Sequence, residues 1–316
     1  MSTTRQSAAT DPTRERLELA MKQVNSVLLG KHEVVELAFS CLLAGGHLLI
    51  EDIPGVGKTT LAQVLAVTLG ADYRRIQFTA DMLPADILGV SVYRRDEERF
   101  EFHPGPIFAQ LVLADEVNRA TPKTQSALLE AMAESHVTIE GKTRNLPSPF
   151  FVIATQNPLD TTGTFPLPDS QLDRFLLSLS IGYPDKAAER QLLVEGDKQK
   201  SVAELQPCLD SESVLYLQKL SEEIFVSAAL LDYVQALLEF SRNYPGLRKG
   251  LSPRAGLALI RSAQSLAMIR GRDFCVPEDV KHLFPSLALH RLAPSEQEKS
   301  PTPKIIDEIL EQVAIP

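Results

Sequence analysis

Cysteine is scarce in this sequence: Cys41, Cys208 and Cys275 are the only three in 316 residues, far apart, with no C-x-x-C and no clustered histidine. That spacing excludes a disulfide framework, offers no zinc site and fits a reducing cytosol, so a cytoplasmic location is expected. Long apolar runs are missing too. None reaches the roughly 18 residues that a membrane-spanning helix needs, and the opening "MSTTRQSAATDPTRER" is polar throughout, unlike a secretory signal. Nor is there a basic excess, since 32 Lys and Arg face 41 Asp and Glu for a formal charge of −9. Such a balance argues against a surface built to neutralise duplex DNA, although a small basic pore in an acidic oligomer would escape that test. The aromatic-basic pattern that stacks single strands is also absent.

What the chain does have is 44% apolar residues, enough to fill a sizeable core. Residues 1–14 read as a disordered tail, followed by a helical pattern from about Arg14 to Leu43. Short continuous apolar runs then appear at Leu48–Ile50, Leu111–Ala114, Phe150–Ala154 and Phe175–Ile181. Runs of this length suit strands buried on both faces, as in a parallel sheet covered by helices. Helical stretches separate them: Leu61, Leu65 and Leu69 share a face that stops at Gly70, and Thr121-Pro122 is a helix start. Two segments, 92–102 and 136–146, alternate about a polar turn and read as hairpins. After Tyr183-Pro184 the strand-like runs cease. The chain therefore divides into an α/β core over 15–184 and a helical domain over 185–316.

The stretch "LLIEDIPGVGKTTLAQ" (48–63) ends like a phosphate loop in Gly57-Lys58-Thr59, but Asp52 stands where the usual signature has its first glycine. A phosphate loop surrounds its anion with backbone N–H groups and a helix N-terminus. Gly55 and Gly57 give the freedom this needs, with Val56 between them and Thr60 following. Lys58 can reach the β and γ phosphates of a nucleotide, and Thr59 offers a hydroxyl to Mg²⁺. A carboxylate aimed at a triphosphate would be repelled, so Asp52 must face away or bond neighbouring amides.

Three more positions close apolar runs. Asp115 and Glu116 end "LVLADE": Asp115 can hold Mg²⁺ and Glu116 can activate water, or both are solvated strand ends. Asn157, held extended by Pro158, is either a hydrogen-bond donor to water and the γ-phosphate or an ordinary turn residue. In an open α/β sheet ligands collect outside the carboxyl ends of the strands, and these three ends converge there. Arg174 follows Asp173, so a local ion pair is the alternative to a functional role. Arg254 lies in "LSPRAG", where Ser252 caps a helix and Pro253 starts it. A cation there opposes the helix dipole by about 0.5 kcal/mol, which a phosphate, an acid or solvent would offset.

The order and spacing of "GGHLLIEDIPGVGKTTLA", "GPIFAQLVLADEVNRATPKTQSALLEAMAE", "FFVIATQNPLDTTGTFPLPDSQLDRF" and "LSPRAGLAL" resemble the MoxR family of AAA+ ATPases, in the helix-2-insert clade, over residues 15–295. That family also carries an acid at the position of Asp52. The resemblance implies a P-loop NTPase core with a helical lid, and a ring, usually of six subunits, with ATP and Mg²⁺ between neighbours. It assigns Lys58 and Thr59 to Walker A, Asp115 and Glu116 to Walker B, Asn157 to sensor 1, Arg174 to the arginine finger and Arg254 to sensor 2. Whether Arg254 acts in cis or in trans stays open. "VLLGKH" (27–32) resembles the stretch lining the adenine pocket, and the hairpins resemble inserts that face a pore or a partner. The implied function is ATP-driven, chaperone-like remodelling of a partner, often a von Willebrand factor A domain protein. The alternatives are a nucleic-acid translocase, a magnesium-chelatase-type motor subunit and a non-catalytic nucleotide-gated scaffold.

Overall fold

The structure is a computed structural model, and it describes residues 11–158, 163–195, 202, 204–295 and 302–315. Most of the expected tail, residues 1–10, lies outside them. Its last residues are helical: Asp11 accepts the Thr13 N–H at 2.8 Å and caps α1 (Pro12–Val27), so the helix begins ahead of Arg14. The single helical pattern expected as far as Leu43 is broken. Gly30 adopts φ +71°, a backbone state that suits glycine, and α2 (His32–Leu43) starts anew behind it.

Five parallel strands form the sheet in the order β2-β5-β8-β1-β9. They are β1 (Leu48–Glu51), β2 (Tyr73–Gln77), β5 (Leu111–Asp115), β8 (Phe151–Gln156) and β9 (Leu177–Leu179). Four coincide with the apolar runs. Successive side chains point to opposite faces, so both faces of the central strands are buried. Leu111, Leu113, Phe151 and Ile153 join one apolar core, while Val112, Ala114, Val152 and Ala154 join the other. The strand missed in the sequence is β2, an edge strand whose residues are mostly exposed and polar.

The first expected hairpin is longer than predicted: β3 (Gly89–Arg94) pairs with β4 (Arg99–Pro104). The second, β6 (His136–Ile139) with β7 (Lys142–Asn145), turns through Glu140 and Gly141 at φ +52° and +74°. Positive φ at both central residues matches the twist of a tight hairpin. Helices α3 (Lys58–Thr68), α4 (Pro84–Leu88) and α5 (Pro122–Glu134) flank the sheet, and the four-residue α6 (Asp169–Leu172) leads into β9. Beyond Pro184 come α7 (Lys186–Glu195), α8 (Ser211–Glu222), α9 (Ala228–Asn243), α10 (Pro253–Ile269), α11 (Pro277–Ala288) and α12 (Thr302–Gln312). This helical part is not wholly without strands, because Leu247–Lys249 pairs with Ala293–Pro294. No helix among the described residues is long and apolar enough to cross a membrane.

Candidate functional site

Because all five strands run parallel, the ends of β1, β5 and β8 open on the same rim of the sheet. A cavity of about 440 Å³ opens on that rim, lined by Gly55, Gly57, Lys58, Thr59, Thr60, Asp115 and Glu116 together with Arg75 and Gln77. Gly57 precedes α3 at φ +99°, and a Cβ on Gly55 would meet nothing within 4 Å, so the loop leaves its backbone accessible. The N-terminus of α3 thus faces open space with its first N–H groups available to an anion. Asn157 is buried one residue past the end of β8 and is not among the residues lining this cavity.

The acid at the odd position points away. Asp52 is 6% exposed, and its carboxylate accepts hydrogen bonds from Gly182 N–H (2.7 Å), Ile53 N–H (2.8 Å) and Ser180 Oγ (2.9 Å). Burial by itself would raise its pKa, but these donors outweigh it and hold the carboxyl below its ordinary value. The carboxylate therefore ties the loop to the end of β9 instead of facing the cavity. Its backbone carbonyl accepts from Lys58 Nζ at 2.7 Å, which aims that ammonium. Burial draws Lys58 below its ordinary pKa against the opposing pull of Asp115, Asp52 and Glu116.

Asp115 is held on both oxygens: Thr155 Oγ1 donates to Oδ1 at 2.6 Å, and Arg75 donates to Oδ2 from Nη2 (2.6 Å) and Nε (3.2 Å). Glu116 takes φ +56°, a left-handed state that costs a non-glycine residue roughly 1 kcal/mol. Its N–H donates to Thr155 Oγ1 at 2.9 Å, its carbonyl accepts from Arg119 N–H at 2.9 Å, and its carboxylate meets Gln77 Nε2 at 2.8 Å. Arg75 and Gln77 are the residues that the sequence reading missed. They sit two apart on β2, hence on one face, in register with Leu113 and Asp115. Recognising "YRRIQ" as an edge strand would have placed them there.

Beside the rim cavity, a second and more apolar one of about 240 Å³ shares Gly55, Gly57 and Thr60 with it and is completed by Val27, Leu28, Leu29, Tyr183 and Leu192. The break between α1 and α2 supplies the first three. Together the pair has a polar, glycine-lined half suited to phosphates and an apolar half suited to a base. Thr59 and Asp115 bring the hard oxygen donors that magnesium prefers, so the residues present fit a magnesium nucleotide.

Arg174 and Arg254 lie elsewhere. Both line a cavity of about 410 Å³ with Arg261, Arg291, Gly46, His47 and Phe150. Gly46 and His47 precede β1 and Phe150 precedes β8, so this cavity lies at the amino ends of those strands, on the opposite rim. The local ion pair between Asp173 and Arg174 is not formed. Asp173 instead accepts from Arg291 Nε at 2.8 Å, and Arg174 Nη1 donates to the Leu129 carbonyl at 2.5 Å. Buried Arg291 also donates to the carbonyls of Phe175 (2.6 Å) and Leu176 (2.9 Å), fixing the backbone just after Arg174. His47 accepts from Val152 N–H through Nδ1 and donates to the Met132 carbonyl through Nε2, each at 3.1 Å. Burial pushes its pKa down to about 4, so the ring is neutral and adds no charge to the four arginines. Ser252 caps α10 by accepting the Ala255 N–H at 3.1 Å, and exposed Arg254 makes no ion pair among the described residues.

Comparison with known proteins follows the same lines. Residues 47–177 match the family described as ATPases associated with various cellular activities (AAA), and residues 239–312 match the AAA lid domain. The chain is 40% identical to Chaperone MoxR1 of Mycobacterium tuberculosis, covering 95% of this chain and 82% of that one. It is 42% identical to the uncharacterized protein YeaC of Bacillus subtilis over 94% of each. It also superposes on the crystal structure of a candidate ATPase from Cytophaga hutchinsonii with a TM-score of 0.89, at 34% identity and 96% coverage of both.

Proposed function

The chain belongs to the MoxR family of AAA+ ATPases, and on that premise we propose that it hydrolyses ATP in pockets shared between neighbouring copies and uses the cycle to remodel a partner protein. The observation that carries this reading is the separation of the two polar cavities. Lys58, Thr59, Asp115 and Glu116 gather on one rim of the sheet, whereas Arg174 and Arg254 gather on the other. The four residues of β1 span roughly 13 Å at ~3.3 Å per residue, too far for an arginine to cross to its own nucleotide. This geometry favours a trans role for Arg254 as well as for Arg174.

In the mechanism, Lys58 and the loop N–H groups bind the triphosphate, and the apolar cavity takes the base. Magnesium, when bound, is held by Thr59 and Asp115 and neutralises charge on the β and γ phosphates. Glu116 accepts the proton of the attacking water, and Asn157 orients that water from the end of β8. The neighbour's Arg174 and Arg254 stabilise the charge that develops on the transferred phosphoryl group. We assign residues 15–184 to the nucleotide-binding core and 185–316 to the lid, in a ring of six copies in the cytoplasm. The partner, on the family pattern a von Willebrand factor A domain protein, meets the hairpins. In support of this, the β3–β4 hairpin exposes Val90, Tyr93 and Phe100, the last 69% exposed and 5.2 Å from the Tyr93 ring.

The decisive experiment mixes two dead variants. Arg174→Ala alone should lose about 10³-fold in turnover, the order of an arginine finger, and Lys58→Ala alone should be inactive. A mixture restores part of the activity, because an Arg174→Ala copy keeps its own loop and borrows Arg174 from a Lys58→Ala neighbour. No recovery, with mixed assembly verified by a two-tag pull-down, would rule out the shared pocket.

A further inference from the structure

Arg75 has no part in the mechanism above, yet it lines the rim cavity and holds Asp115 more tightly than any other cation in it. Both oxygens of Asp115 are engaged, Oδ1 by Thr155 and Oδ2 by Nη2 and Nε of Arg75. Thr155 is fully buried in β8 and has no freedom to withdraw. The Arg75 side chain is 47% exposed, while that of Asp115 is only 11% exposed. A divalent cation bound directly to Asp115 would need the ground at Oδ2 that the guanidinium occupies, and of the two donors only Arg75 can yield it.

Resting on the ATPase reading, we propose that Arg75 and magnesium exchange places on Asp115, and that the displaced guanidinium moves onto the triphosphate as a second phosphate-binding cation beside Lys58. The exchange keeps every charge in the cavity paired. Without metal, Arg75 neutralises Asp115 and spares the nucleotide its repulsion; with metal, the arginine is released toward new anionic oxygens. Arginine suits both positions because its planar fork serves carboxylate and phosphate alike. Arg75 also donates to Gln77 Oε1 at 3.0 Å, and Gln77 in turn donates to Glu116 at 2.8 Å, so its departure loosens a contact in the chain leading to Glu116.

The test measures equilibrium binding of a fluorescent, non-hydrolysable ATP analogue to the full chain, once in excess magnesium and once in EDTA. The quantity read is the ratio of Kd in EDTA to Kd in magnesium. In Arg75→Gln the bare Asp115 repels metal-free nucleotide and no cation competes with magnesium, so the ratio grows about three- to tenfold, between the value of an exposed ion pair and that of a buried charged hydrogen bond. Arg75→Lys keeps the charge without the fork, guards against a folding defect, and gives a ratio between the other two. A ratio that is unmoved or smaller in both variants, with wild-type binding intact, overturns the exchange alone. Failure of the wild type to bind nucleotide in either condition overturns the ATPase reading and this exchange with it.

Discussion

The two larger polar cavities have nearly equal volumes, about 440 and 410 Å³, and opposite characters. In the rim cavity two acids stand beside two bases, Asp115 and Glu116 with Lys58 and Arg75, and each acid is engaged by its own chain. In the arginine cavity four arginines face one acid, Asp173, which Arg291 already holds. One site is electrically complete and the other has a cationic surplus. A surplus of this kind is costly unless an anion from elsewhere meets it. The difference teaches that the arginine cavity has its counterpart outside its own chain, and an acid-rimmed, phosphate-holding cavity on a second copy has the complementary charge.

The comparison breaks most sharply at Glu116. Glu116→Gln removes the proton acceptor from the rim cavity without touching the arginine cavity, so turnover should fall about 10²- to 10⁴-fold while nucleotide binding persists. Phosphate release measured beside equilibrium binding separates the two, and turnover near wild type would remove Glu116 from the mechanism. A smaller effect tests how far the rim cavity depends on its own chain. Asp52→Gly restores the glycine of the general phosphate-loop signature, yet it strands the Ser180 hydroxyl and the Ile53 and Gly182 N–H groups. The variant should lose about 1–3 kcal/mol of stability in urea melts. An unchanged midpoint would show that the tie to the end of β9 is idle.

Much of the rim cavity was legible in the sequence, because its residues sit in motifs whose chemistry is local. Gly57-Lys58-Thr59 opens a helix, Asp115 closes a buried strand, and both are marked by abrupt changes of apolar pattern. Asp52 was constrained by charge alone to turn aside, but its partners Ser180 and Gly182 lie some 130 positions away and only the fold brings them close. Arg75 and Gln77 escaped notice because an edge strand with one apolar core residue has no run to reveal it. The break after α1 was hidden because its apolar residues continue the helical spacing across Gly30. The cavity around Arg174 was least readable of all. It depends on how α10 and the residues after α11 dock against the amino ends of the strands, and no local pattern encodes that.

That docking has a clasp of its own, whose pH dependence sharpens the comparison at its weakest effect. Glu36 on α2 accepts from Arg270 at 2.9 and 2.8 Å, and Arg270 ends α10, the helix whose first turn carries Arg254. Burial would raise the Glu36 pKa, but hydrogen bonds and charge from His282 and Arg270 prevail and bring it down to about 2 from an ordinary 4.5. A carboxyl lowered on folding contributes its stability in full above the ordinary value and loses it as pH falls toward the folded one. The contribution is therefore present at pH 7 and fades between about pH 4.5 and 2. Glu36→Gln removes it, so wild type and variant should differ in urea midpoint at pH 7 and converge on acidification through that window. A gap that persists undiminished toward pH 2 would mean that packing, and not the charge of Glu36, seats the helix that presents Arg254.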